Sequence, residues 1–179
     1  MADGTLKVGT ITNSQGSGNI TIGSGVTVNV NRPAFEAVIS ADSSFSRDTV
    51  TKINFNTEVF DTNSAYDNST NYRFTVPSGN AGKYYTYLTL GLKTGASSNF
   101  EYAGIYLYKN GSVERVVWID LRAGDGRDIP LNLTTTLDLS VGDYLEPYAY
   151  VMTSSGDPTI MAVRGSTKLS VFGAYRIGA

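Results

Sequence analysis

The chain has 179 residues, of which 41% are hydrophobic and 17% are charged, and its formal net charge is −2. This length is typical of one domain, or of one domain with a short additional segment. The chain contains no cysteine and no histidine. Disulfides and thiol catalysis are therefore excluded, and so are the commonest general base and the commonest metal ligand. The 14 basic residues are scattered singly, so we expect no nucleic-acid partner.

Residues 1–33 are interpreted as a β-rich segment for anchoring and assembly. Residues 6–11, 19–22 and 26–30 each alternate apolar and polar side chains, and Gly/Ser turns separate them. Three short strands cannot form a core alone, so we expect them to dock on a partner or on copies of themselves. The alternative is a flexible Gly/Ser leader. The apolar positions expected to make the anchoring contacts are Leu6, Val8, Ile11, Ile20 and Ile22.

The start of the chain and its hydropathy carry two further expectations. Residues 1–7 lack the basic start and the apolar stretch of a signal peptide. No apolar run reaches the roughly 20 residues that span a bilayer. We therefore expect neither ordinary secretion nor insertion into a membrane.

Residues 34–179 are predicted to form an all-β sandwich of two antiparallel sheets. Pro33 marks the boundary, because proline ends a strand ladder and holds the residue before it extended. The alternating, turn-bounded segments predict strands at residues 35–40, 50–56, 72–76, 83–93, 100–108, 113–121, 129–139, 144–152 and 168–177. Asn110-Gly111 predicts the tip of a tight hairpin.

Two predicted strands are aromatic on the face that a monomer would leave to solvent. Ile105 and Leu107 alternate with tyrosines, and Leu145 and Val151 alternate with Tyr144 and two further tyrosines. Exposed aromatic faces of this extent usually mark interfaces. The alternative is that these are ordinary solvent-facing tyrosines. We favour self-association, and the predicted interface residues are Tyr102, Tyr106, Tyr108, Tyr148, Tyr150 and Phe172.

Five motifs occur in the order found in one known superfamily. They are YRFTVP at 72–77, GKYYTY at 82–87, IYLYKNG at 105–111, LDLSVGDY at 137–144 and KLSVFGAY at 168–175. On these motifs, residues 34–179 resemble the trimeric jelly-roll superfamily of the complement first-component globular head and tumour necrosis factor. The departures are a three-residue insertion after Pro77 and the lack of cysteine. The resemblance implies a jelly-roll fold and a homotrimer.

The leader carries a second resemblance. TLKVGTIT at 5–12, a Gly/Ser turn, an Ile-Thr-Ile strand and NRPAF at 31–35 are similar to virion appendage proteins of tailed bacteriophages. This resemblance implies a tail- or head-fibre or knob subunit, assembled in the host cytoplasm and displayed on the virion exterior. Residues 1–31 would bind other virion proteins, and the jelly roll would contact a host-surface glycan or protein. The alternatives are a capsid decoration or cement protein, and a soluble lectin-like or cytokine-like trimeric ligand.

The search for catalytic chemistry predicts no enzyme. The carboxylate pairs Asp42 with Asp48 and Asp125 with Asp128 are of the kind that hydrolyses glycosides, but each lies in a turn, where aspartate is common for local reasons. The 125–128 loop also offers too few oxygens for calcium unless three chains contribute. We therefore predict no catalytic residue, no cofactor and no metal ligand.

Overall fold

The computed structural model describes residues 32–95, 99–124 and 126–178, together with Ser24. The chain divides into two units, residues 1–31 and residues 32–179, and every described strand belongs to the second unit. The predicted anchoring residues Leu6, Val8, Ile11, Ile20 and Ile22 lie outside the described residues. Their role, and the predicted boundary at residue 33, stay predictions.

Across these described ranges the chain forms β-strands and no helix. None of these residues therefore belongs to a helix that could traverse a membrane. The strands are β1 (Ala34–Val38), β2 (Ser43–Ser44), β3 (Thr51–Lys52), β4 (Thr57–Asp61), β5 (Tyr66–Asp67), β6 (Arg73–Thr75), β7 (Gly82–Lys93), β8 (Phe100–Lys109), β9 (Ser112–Asp120), β10 (Asp128–Leu139), β11 (Tyr144–Thr153), β12 (Thr159–Met161), β13 (Val163–Arg164), β14 (Thr167–Lys168) and β15 (Val171–Gly178).

The long strands belong to two antiparallel sheets. In sheet I, β7 pairs along its whole length with β10, and on its other edge with β15 and β12. Strand β1 follows β15, β4 lies beyond β1, and β2 pairs with β12. In sheet II the order is β5, β6, β11, β8 and β9, with β3 also paired to β11. The short strands β13 and β14 pair only with each other among the described residues.

The core fills the space between the two sheets because every second residue of the long strands points inward. On β7, Tyr84, Leu88, Leu90 and Leu92 are completely buried. On the opposite sheet, the buried side chains of β8 and β11 face them. The core contribution from those two strands is Phe100, Ala103, Ile105, Leu107, Leu145, Ala149 and Val151.

An aromatic cluster ties the two sheets together at the centre of the core. The ring of Phe35 lies 4.7 Å from Tyr66, 5.0 Å from Phe74 and 5.1 Å from Phe172. The buried hydroxyl of Tyr66 donates a 2.9 Å hydrogen bond to the carbonyl of Phe55, and burial raises the pKa of Tyr66 well above its usual value. Phe172 is 0% exposed within one chain. Its predicted place in an interface between chains is therefore wrong, because its strand directs it into the core.

Some of the strands and turns predicted from the sequence agree with the structure, and others do not. The all-β sandwich is confirmed, and so is the hairpin at Asn110-Gly111, where both residues have the positive φ that a tight two-residue turn requires. The predicted strand at 50–56 is only β3. The prediction missed β2, β4, β5, β12 and β13. Strand β4 is exposed for almost its whole length, so it carries no alternation of buried and exposed residues that a sequence pattern could reveal.

Candidate interaction surfaces

The outward face of sheet II carries a continuous aromatic surface, which we name the tryptophan face. Strands β8, β9 and β11 lie side by side, so their outward residues meet in rows across the sheet. Five of its six side chains are tyrosines predicted from the sequence, and the sixth was not predicted. The tryptophan face consists of Tyr102, Tyr106, Tyr108, Trp118, Tyr148 and Tyr150.

The aromatic rings of this face pack on one another. Tyr108 and Tyr148 have ring centroids 4.1 Å apart. Trp118 stacks against Tyr150 at 5.6 Å and against Tyr102 at 5.8 Å. Each ring is thereby held by its neighbours, and such pairs add about 0.5–1.5 kcal/mol beyond the area they bury.

Trp118 is the centre of the tryptophan face and depends on a glycine opposite it. It pairs in register with Gly104 on β8. A Cβ atom added at Gly104 would lie 2.5 Å from Cε3 and 2.9 Å from Cζ3 of the indole. The indole therefore lies against the backbone of β8, a position that any larger residue at 104 would obstruct. Trp118 is nevertheless 49% exposed.

Charges around the tryptophan face occur in pairs. The Arg122 guanidinium lies 4.5 Å from the ring centre of Tyr102 and binds the Asp120 carboxylate at 2.7 Å. On the other side, Lys52 binds Glu146, whose side chain is 9% exposed. These four groups therefore carry no net charge.

Two phenols of this face, those of Tyr106 and Tyr148, have a pKa above the ordinary value of tyrosine. Burial raises the pKa of Tyr106, and neighbouring Tyr108 and Tyr150 add to that effect. Burial also raises the pKa of Tyr148, with a further contribution from the Glu146 carboxylate. A neutral phenol both donates and accepts hydrogen bonds, so the face combines apolar ring surface with hydrogen-bonding groups.

A second aromatic surface, the sheet I face, lies on the outward side of the other sheet. It consists of Phe60, Tyr85, Tyr87 and Tyr175, from β4, β7 and β15. Phe60 and Tyr175 are each 44% exposed. The rings of Tyr85 and Tyr175 lie 5.3 Å apart. This surface was missed because Tyr84 and Tyr85 are adjacent, so the sequence alone did not show which of them points outward.

One carboxylate lies at the centre of the sheet I face. Glu36 on β1 accepts a 2.9 Å hydrogen bond from the hydroxyl of Tyr87. The Tyr87 ring crosses Gly173, where a Cβ atom would lie 2.3 Å from the phenol. Burial, followed by the hydrogen bond with Glu36, raises the pKa of Tyr87 well above its usual value. Glu36 is thus engaged within its own chain.

The candidate carboxylate pairs have local roles. The Oδ1 atom of Asp42 accepts a 2.8 Å hydrogen bond from the amide of Ala162, and Asp48 lies 3.7 Å from Arg47. Asp128 binds Arg164 at 3.1 Å, while Asp125 lies outside the described residues. Within the part of the chain that the structure describes, no group of three acidic side chains is placed to hold a metal ion.

Comparison with known proteins identifies the fold. No family model and no curated protein matches the sequence. Among solved structures, murine APRIL matches with a TM-score of 0.58 and 10% identity, over 82% of this chain and 100% of that chain. The globular domain of the zebrafish complement 1qA protein matches with a TM-score of 0.55 and 18% identity, over 83% and 98%.

A third solved structure shows the same similarity of fold. The Eiger tumour necrosis factor from S. frugiperda matches with a TM-score of 0.53 and 13% identity, over 82% of this chain and 92% of that chain. At such low identity the similarity concerns the fold alone, and it agrees with the two antiparallel sheets of this chain. The chain therefore has the jelly-roll fold of tumour necrosis factor and complement 1q globular domains.

Proposed function

We propose that this chain is a non-enzymatic structural protein that assembles as a homotrimer and displays its jelly roll for attachment. In the finer form of the proposal it is a fibre or knob subunit on the exterior of a bacteriophage virion, anchored through residues 1–33. The jelly-roll fold, shared with the solved structures described above, supports self-association of this chain. The virion role and the number of three copies rest on the two resemblances that the sequence carries.

The observation that carries self-association is the sheet I face. It exposes Phe60 and Tyr175 at 44% each beside Tyr85. Its central carboxylate, Glu36, is already bound by Tyr87. The centres of interfaces between copies are aromatic and poor in charge, and this surface fits that description.

The sheet I face fits an interface between copies better than the tryptophan face does. A copy placed on the tryptophan face would cover the Arg122–Asp120 pair and the Lys52–Glu146 pair. Removing charges from water costs free energy on either face, but the tryptophan face has these four charged groups, whereas the centre of the sheet I face has one, Glu36. We therefore place the interface on sheet I. The interface that the sequence predicts, at Tyr102, Tyr106, Tyr108, Tyr148 and Tyr150, is the competing hypothesis.

Two matched variants separate these hypotheses. Tyr175→Lys places a charge in the sheet I face, and Tyr106→Lys places the same charge in the tryptophan face. Light scattering at micromolar concentration measures the mass of each. We expect the wild type and Tyr106→Lys to be trimers and Tyr175→Lys to be a monomer. Dissociation of Tyr106→Lys alone would support the competing interface, and a monomeric wild type would refute self-association.

The virion role is tested separately, on particles. An antibody against the jelly roll should decorate purified virions in electron micrographs, and blocking with it should reduce adsorption to the host. Labelling in tens to hundreds of copies, with unaltered infection, would favour a capsid decoration instead. Absence of label from particles would reject the virion role.

A soluble ligand is the second candidate function. Its specific support is that murine APRIL and the Eiger tumour necrosis factor share the fold of this chain. It predicts a trimer that is stable without residues 1–31 and is found free of particles. The same labelling experiment, together with the mass of a chain that begins at Arg32, distinguishes it from the virion role.

A further inference from the structure

The tryptophan face presents one flat aromatic ring that packs on a strand backbone and is about half exposed. Trp118 lies against Gly104, and its plane is within 18° of Tyr150 and 30° of Tyr102. Tyr150 and Tyr102 hold the indole nearly parallel to their own rings. Because Trp118 is still 49% exposed, about half of its surface is accessible to a ligand.

Hydrogen-bonding groups surround this ring. The phenols of Tyr102, Tyr106 and Tyr150 belong to the same face, and each can donate and accept. At one border, Arg122 stands over Tyr102 while it binds Asp120. The free edges of that pair add donor and acceptor positions beside the stacking surface. A ligand that fits must have an apolar flat side and hydroxyl groups around it.

The charge of the tryptophan face selects among such ligands. Arg122 is matched by Asp120, and Lys52 is matched by Glu146. A site that stacks nucleobases combines its rings with a positive groove for the phosphates, and this paired surface offers no such groove. Charge complementarity therefore favours a neutral ligand.

We propose that the tryptophan face binds neutral carbohydrate, with one sugar ring stacked on Trp118. The hydroxyls of that sugar would bind the surrounding phenols and the Arg122–Asp120 pair. The inference deepens the proposed attachment function, on which it rests, by naming the chemical class of the ligand. It also leaves the sheet I face free for contact between copies.

The chain contains a single tryptophan, so its fluorescence reports on this site alone. The full chain is titrated with neutral hexasaccharides of glucose, galactose, mannose and N-acetylglucosamine, and binding is repeated by calorimetry. We expect a saturable change in emission with at least one of them. Trp118→Ala should abolish binding in calorimetry, whereas Trp118→Phe, which keeps a ring, should retain part of it.

Gly104→Ala provides a second test, because it keeps the fluorophore. The added methyl group displaces the indole from the backbone of β8, and affinity should fall about tenfold, as expected for loss of a stacking contact. Gly95→Ala, where an added Cβ would meet no atom within 4 Å, is the matched control outside both aromatic surfaces and should bind sugar as the wild type does.

Four results would overturn the inference. The first is that no hexasaccharide binds saturably, and the second is that Trp118→Ala leaves sugar binding intact. The third is that a tryptic peptide mixture, titrated in the same way, changes the emission when no sugar does. The fourth is that Trp118→Ala has a lower mass than the wild type in light scattering. The third result would assign the face to a protein partner and the fourth to a second copy. Failure to bind sugar by a protein of trimeric mass rejects this inference alone, whereas sugar binding by a monomer rejects only the trimer.

Discussion

Gly104 and Gly173 occupy equivalent positions, each beneath an aromatic ring on the outward face of a sheet, but alanine should be tolerated very differently at the two. At Gly104, the atoms nearest to an added Cβ belong to the Trp118 ring, at 2.5 and 2.9 Å. At Gly173, the added Cβ meets the Tyr87 phenol at 2.3 Å and also the backbone carbonyl of Phe35 at 2.8 Å. A side-chain end can move away, whereas a carbonyl inside a strand pair cannot.

These contacts determine how much stability each Gly→Ala substitution loses. Displacing Trp118 forfeits ring stacking of about 0.5–1.5 kcal/mol, and replacing glycine returns about 0.4–1 kcal/mol through the unfolded chain. Gly104→Ala should therefore lose about 0–1 kcal/mol. Gly173→Ala adds overpacking of about 1–3 kcal/mol and disturbs the Tyr87–Glu36 hydrogen bond, a charged bond worth about 1.5–3 kcal/mol. Because Tyr87 and Glu36 are half-buried, we take the low values, about 1 and about 1.5 kcal/mol. After the same return of about 0.4–1 kcal/mol for replacing glycine, we expect a loss of about 2 kcal/mol.

Urea unfolding at one fixed protein concentration measures both losses, since an oligomer makes stability depend on concentration. In thermal unfolding, about 2 kcal/mol corresponds to roughly 4–8 °C for a domain of this size. A loss at Gly104 equal to or larger than the loss at Gly173 would refute the reasoning, because it would mean that the immobile carbonyl is not the deciding contact.

Three further predictions concern the core, a buried ion pair and a loop. Phe172→Ala should lower the free energy of unfolding in urea by about 3–5 kcal/mol without changing the mass of the folded protein in light scattering. A lower mass at unchanged stability would show that Phe172 does contribute to an interface between copies. Lys52→Met should lower the free energy of unfolding by about 2 kcal/mol, because it removes the cation that pairs with the nearly buried Glu146 carboxylate. Lys52→Arg keeps the positive charge and should retain most of that stability. Equal losses in the two variants would argue against the ion pair. The amides of Thr70 and Ser69 and the Asn71 side chain hold the pKa of Asp67 well below its usual range. Its contribution is therefore present above about pH 4 and is lost as the pH falls, so stability measured from pH 5 to 2 should fall less steeply in Asp67→Asn than in the wild type.

The hydrophobic alternation was sufficient to predict several features of the fold. Ile105 and Leu107 are buried while Tyr106 faces outward, as their alternation indicates, because neighbouring residues of a strand point to opposite sides whatever its partners are. The hairpin tip at Asn110-Gly111 was equally readable, because its dihedral angles depend on local chemistry. The jelly-roll class came from the resemblance, and the solved structures bear it out.

The sites depended on information that no local pattern contains. Alternation divides a strand into two faces, but only the pairing of β15 between β1 and β7 decides that Phe172 enters the core and Tyr175 stays outside. Likewise, Trp118 lies flat because its register partner on β8 is Gly104. The sequence by itself determined the strand class, the alternation of faces and the tight turn. Only the tertiary structure decided which faces meet and which rings remain open, because strand register brings together residues that are far apart along the chain.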